Sequence, residues 1–300
     1  MRRGTHGIVS IISFGVAAVI ISTPAEGQGA SQRPERKTSA SVFDIDTLLA
    51  SPGPRWTPAV SPHFHLYVER SPRSPVYAVA MRDTLEQAWA AAIQLIHTPV
   101  SDTPPVTVFI TSSRTRFPHL LPPEAKGYTI STPTVGDLVI LVDNDSVRAR
   151  SRHEIMHVVV RRAWGSASPF AGWVNEGLAG YADGRCQATT MIAAGRDILH
   201  YLPKVTIREV TDPFMAMFTT DRANAYVLSA ALVAFVWETG GRDAVRELWR
   251  ARDPNVVTRQ LESAGDSSSD ATRRWREWVT HRAGSDPRID TAAFHRNDCG

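Results

Sequence analysis

Residues 152–157 read Arg152-His153-Glu154-Ile155-Met156-His157, and residues 173–183 read Trp173-Val174-Asn175-Glu176-Gly177-Leu178-Ala179-Gly180-Tyr181-Ala182-Asp183. On a helix, His153 and His157 lie at i and i+4, on one face and about 6 Å apart along the axis. Two imidazoles so placed can converge on one zinc ion. Glu154 sits one step round the helix, beside the metal rather than on it, where a general base for metal-activated water belongs. Val158, Val159 and Val160 continue the helix into apolar surroundings that would hold both histidines rigid. The competing reading of such a pair is two surface histidines on a helix.

The third ligand separates the possibilities. Metzincin spacing would require glycine and histidine where this chain has Val160 and Ala163. Glu176 instead lies nineteen positions after His157, on the next predicted helix. A carboxylate from a helix packed beside the first completes two nitrogens and one oxygen, leaving a fourth position open. The alternative for Glu176 is an acid near a helix N-terminus, favoured there by the dipole.

Taken together, His153-Glu154-x-x-His157 and Asn175-Glu176-Gly177-x-Ala179 resemble the gluzincin zinc metallopeptidases, in particular the smaller peptidase MA-like proteins. The resemblance implies that His153, His157 and Glu176 bind one Zn2+ and that Glu154 is the catalytic base. It places Asn175 and Asp183 behind the ligands. Asp183 is two helical turns from Glu176 and therefore on its face, where it can orient a ligand histidine or serve as an ordinary surface acid. It also implies that Tyr226, at the start of the apolar run 225–235 before Gly240-Gly241, donates to the oxyanion. An aromatic packed in the core is the other reading, and Tyr128, Tyr181 and Tyr201 are rivals for the role. No G-x-M-E-N segment is present, so an endopeptidase is expected over an aminopeptidase. Gluzincins bind extended substrate along an edge strand, for which 127–132 is the candidate.

Outward from this centre, 76–96 reads as a helix with Val76, Val79, Ala80, Leu85, Trp89, Ala92, Ile93 and Ile96 at three- and four-residue steps. Strands are expected at 63–69 (His63, His65 and Tyr67 on one face), 106–110, 127–132 and 138–142. Helices are expected at 146–163, 172–183, 221–239, 241–251 and 271–282. The fold class is α+β: an N-terminal mixed β-sheet lobe with a helix (about 60–145), then a helical lobe (about 146–283), gluzincin- or thermolysin-like with the active-site helix between them. The catalytic domain is expected over 41–283, with a loosely held C-terminal tail at 284–300.

The first residues read as an address. Arg2 and Arg3 precede a fourteen-residue apolar run, Ile8 to Ile21, and small residues follow at Ala25, Gly27, Gly29 and Ala30. This describes a signal peptide (1–27) with a flexible leader (28–40), against roughly 20 apolar residues for a bilayer span. An exported protein, periplasmic or extracellular, is expected; a retained anchor is the alternative. In that compartment Cys186 and Cys299 are either a disulfide or two thiols. A net charge of +3, from 33 basic and 30 acidic residues, is too balanced for nucleic acid as the main partner. His63 and His65 read as packing rather than a second metal site, and Arg148, Arg150 and Arg152 as a solvated helix face. The expected function is hydrolysis of peptide or protein substrates. The second reading is a non-catalytic envelope module that binds peptide or protein and retains the zinc site for stability.

Overall fold

The structure, a computed structural model, describes residues 45, 49, 56–100, 104–117, 120–121, 125–132, 136–143, 147–186, 189–211, 217, 220–253 and 268–288. The predicted signal peptide and leader, and Cys299, lie outside the described residues. The fold is mixed α+β, with a sheet in the N-terminal part and helices in the C-terminal part.

The sheet contains β1 (Trp56–Val60), β2 (Phe64–Glu69), β3 (Val106–Thr111), β4 (Gly127–Thr132) and β5 (Gly136–Val142), in the order β1-β2-β3-β5-β4. The β2–β3 and β3–β5 pairs are parallel, and both edges are antiparallel. β2 and β3 are joined through α1 (Ser74–Ile96), as parallel neighbours require. Period-two alternation gives the sheet two apolar faces. Phe64, Leu66, Val68, Val108, Ile110, Val139 and Leu141 join the main core with the helices. Phe109, Leu138, Ile140 and Val142 join Phe117 and Leu121 in a smaller cluster on the other side.

Two expectations need correction in this part. The sheet begins at Trp56, because β1 is a strand with Pro58 inside it; only an edge strand tolerates that loss of a donor. The buried stripe of α1 runs through Ala78, Met81, Leu85, Ala88, Trp89, Ala92 and Ile96, which leaves Val76 80% exposed and Val79 exposed. Continuing the 85–96 face backwards in steps of three and four reaches 81 and 78, so the two valines fall outside it.

The helical part comprises α2 (Val147–Trp164), α3 (Gly172–Asp183), α4 (Met191–Tyr201), the short α5 (Ile207–Thr211), α6 (Arg222–Arg250) and α7 (Ser268–Ala283). A small hairpin, β6 (Arg185–Cys186) and β7 (Thr189–Thr190), precedes α4. Sequence periodicity did not reveal α4, whose start is capped by the Thr190 hydroxyl accepting from the Ala193 N–H. Gly241, at φ 78°, breaks α6 where two helices were expected. Among the described residues no helix is long and apolar enough to cross a membrane.

α2 packs on α1, on β4 and β5, and on α3, so it is the element shared by sheet and helices. Its C-terminal end is tied to β5: buried Asp137 accepts from Arg161 and, at 2.6 Å, from Arg162 Nε. Arg162 also donates to the Pro104 carbonyl at 2.8 Å and lies over the Trp89 ring. The start of the expected loose tail is fastened as well. The Thr190 hydroxyl donates to Asp286 at 2.8 Å, and Arg196 donates to the backbone oxygens of Gly284 and Asp286.

Candidate metal centre

α2 and α3 bring the predicted ligands together. Helical spacing puts His153 and His157 on one face of α2, and α3 presents Glu176 across from them. Glu176 Oε2 lies 3.2 Å from His153 Nε2 and 3.5 Å from His157 Nε2. One donor atom from each of the three residues lies within 4.8 Å of the others. These residues can hold a metal ion.

Each histidine is oriented from behind. His153 Nδ1 donates to Asp183 Oδ2 at 3.2 Å, and His157 Nδ1 donates to Asn175 Oδ1 at 3.0 Å. Both far ring nitrogens are thereby occupied, leaving both Nε2 atoms for the shared point. Asn175, the residue before Glu176, and Asp183, two turns after it, thus support the ligands directly from the same helix.

Burial disfavours charge on His153, but the Asp183, Glu176 and Glu154 carboxylates outweigh it and push the imidazole up to about 10. His157 is likewise raised: Glu176 and Glu154 overcome its burial and the repulsion from His153. Burial would raise Glu176, yet the two histidines hold it well below the usual carboxylate range. Three carboxylates, Glu176, Glu154 and Asp183, thus favour positive charge at this point.

Glu154 is buried beside this cluster and held from the sheet. The Thr129 hydroxyl donates to Glu154 Oε2 at 2.6 Å, and Thr129 Oγ1 is also 3.2 Å from the Glu154 carbonyl oxygen. Two residues earlier on the same face of β4, Gly127 lies so close that a Cβ there would fall 2.5 Å from Glu154 Oε1. Only glycine fits between the edge strand and this carboxylate.

Tyr226, on α6, packs edge-on against His153 with ring centroids 5.5 Å apart. Burial, reinforced by the Glu176 and Glu154 charges, pushes its phenol well above the ordinary range, so it stays a neutral donor. Two of the rival tyrosines stand elsewhere: Tyr181 feels Glu238 and Arg282, and Tyr201 is exposed. Tyr128 packs against the smaller cluster, but burial and the Glu154 and Glu176 charges raise its phenol too, so it stays a second neutral donor near the centre.

Thr129 was not among the residues singled out in the sequence. Its signal is the β4 register, which puts every second residue on the face toward α2. The arginine face before the motif needs correction: Arg152 is exposed but Arg150 is buried. His63 pairs with Glu86 at 2.7 Å and stacks on Trp89, so it packs as expected. Cys186 is buried and disulfide-bonded; its expected partner Cys299 lies outside the described residues. No protein-family model and no curated protein matches the chain.

Proposed function

We propose that the protein is an exported zinc-dependent metallopeptidase of gluzincin type, with an endopeptidase action on peptide or protein substrates. The observation that carries this reading is the convergence of His153 Nε2, His157 Nε2 and Glu176 Oε2, with the Glu154 carboxylate beside them. The donor set of two imidazoles and one carboxylate suits zinc. Bonds of about 2.0–2.1 Å put tetrahedral ligands about 3.3–3.4 Å apart, and the separations of 3.2 and 3.5 Å straddle that value.

Bound by these three residues, zinc supplies Lewis acidity, polarising a carbonyl and making water acidic enough to lose a proton near neutral pH. The chain's own groups do the rest. Glu154, fixed at Oε2 by Thr129, takes the proton from attacking water at Oε1 and passes it to the leaving amine. Tyr226 donates from its hydroxyl to the oxygen on which charge develops. Asp183 and Asn175 keep both histidines in the ligating tautomer. β4, an edge strand whose inner face carries Gly127 and Thr129, offers unpaired backbone to an extended peptide and supports a thermolysin-like division of the fold.

The test is zinc content and cleavage of a mixed peptide library by the zinc-loaded protein, its chelated form and two variants. Glu154→Gln is expected to keep zinc and lose at least about a hundredfold in turnover. His157→Ala is expected to lose both. Peptide binding without cleavage by the zinc-loaded wild type refutes the hydrolase and supports the non-catalytic module.

A further inference from the structure

Arg150 lies one helical turn before His153 and Glu154, so its side chain leaves α2 on the face that carries the metal centre. It is only 8% exposed. On one side its Cγ rests against β4, 2.8 Å from where a Cβ on Gly127 would stand. On the other side its charge reaches the phenol of Tyr226. Among the described residues it forms no ion pair, and its buried Nε has no hydrogen-bond partner.

The nearby carboxylates are engaged elsewhere: Glu154 with Thr129, Glu176 with both histidines, Asp183 with His153. A guanidinium stays protonated at any physiological pH, so burial cannot neutralise it. Leaving such a charge buried and unpaired is costly, and a ligand that supplies the missing anion recovers that cost.

We infer that Arg150 is a specificity-determining residue that binds a carboxylate of the peptide next to the cleaved bond. The inference rests on the peptidase reading of the same site. One helical turn is about 5.4 Å, and a strand rises about 3.3 Å per residue, so the carboxylate belongs within about two residues of the cleaved bond. Gly127 leaves room for the arginine stem, and the planar guanidinium presents paired donors that match a carboxylate. Either an Asp or Glu side chain or the substrate's terminal α-carboxylate supplies this chemistry.

The experiment uses the zinc-loaded full chain and two peptide libraries, one C-terminally amidated and one with free acids, with cut sites read by mass spectrometry. Acidic residues next to the cut in the amidated library identify a side-chain carboxylate. Cuts confined to the last residues of the free-acid library identify the terminal one. The wild type is expected to prefer the carboxylate-bearing peptide by roughly tenfold or more over its amide counterpart. Arg150→Gln is expected to reduce that ratio to about two or less, and Arg150→Lys to an intermediate value.

Equal cutting of acidic and amide peptides by the wild type overturns the inference and leaves the peptidase standing, as does a ratio unchanged in Arg150→Gln. Absence of any cutting refutes the peptidase instead. Fluorescence anisotropy of labelled peptides differing only by Glu or Gln then decides the inference, and equal affinities overturn it.

Discussion

Replacing Gly177 with alanine puts a single methyl group where α3 crosses α6. The added Cβ would meet the Ser229 carbonyl oxygen at 2.5 Å and Val233 Cγ2 at 2.6 Å. Ordinary contact begins near 3.4 Å, so the helices must separate by about 0.9 Å, and the obstructing oxygen is backbone that no rotamer change removes. Overpacking of this kind costs about 1–3 kcal/mol. The displaced helix carries Glu176 on the adjacent residue, so its carboxylate shifts relative to His153 and His157 by a similar amount. Zinc affinity is expected to fall roughly tenfold to a hundredfold, as it does when ligand support is disturbed.

Gly180→Ala is the companion variant, because its Cβ would meet the Ala230 Cβ at 3.0 Å and the flexible end of Met191 at 3.2 Å. It is expected to cost less than about 1 kcal/mol and to leave zinc binding nearly intact. Competition with a chromophoric chelator measures affinity, and urea unfolding measures stability. Wild-type zinc affinity in Gly177→Ala, or a larger loss in Gly180→Ala, refutes the reasoning.

Three further outcomes follow from the same geometry. Asp183→Asn removes the charge behind His153 and is expected to weaken zinc binding about tenfold with the fold unchanged by circular dichroism; undiminished affinity contradicts the support role. In the metal-free protein His153 is pushed up to about 10, so it carries a proton at pH 7 that it must shed to ligate, and the Glu176 and Glu154 carboxylates raise His157 in the same direction. Calorimetry in buffers of different ionisation enthalpy is expected to show release of at least about one proton per zinc at pH 7, fewer above pH 10, and weaker affinity in acid; release near zero sinks this account. Glu69 is held below its ordinary value despite burial, by the Ser112 amide and hydroxyl, the Thr111 hydroxyl and Arg116. Its contribution is therefore present above the ordinary glutamate range and lost as pH falls through the lowered value: Glu69→Gln is expected to cost about 1–2 kcal/mol at pH 7 and progressively less as the solution is acidified below that range, and a pH-independent cost refutes it.

The parts of the fold visible in the sequence were those where one local pattern controls the outcome. The bounds of α3 coincide with expectation at 172–183, and the two histidines needed only helical periodicity to share a face. Glu176 was found because its spacing places it on the neighbouring helix. What escaped detection depends on contacts between elements distant in sequence. β1 is a strand because β2 pairs with it, although Pro58 argues locally against one. α4 carries Gly195 in its middle, a poor helix former whose use is the approach to α6, where a Cβ would fall 2.8 Å from the Ala231 Cβ. Arg150 alternates with Arg148 and Arg152 in sequence, which resembles a wetted face; its burial depends on Gly127, more than twenty residues earlier on another element. Thr129 depends likewise on the register of β4 against β5.

The double clamp of Arg161 and Arg162 on Asp137 sets which half of the centre is the fixed jaw. Sliding α2 along the sheet would tear charged groups from a buried carboxylate, whereas among the described residues no ion pair ties α3 to β5. A metal ion held by His153, His157 and Glu176 would bridge α2 and α3 and restrain any movement of one against the other. On the proposed peptidase reading, admission of a bulky chain and retention of the ion would then draw on the same movement, so loosening one would loosen the other.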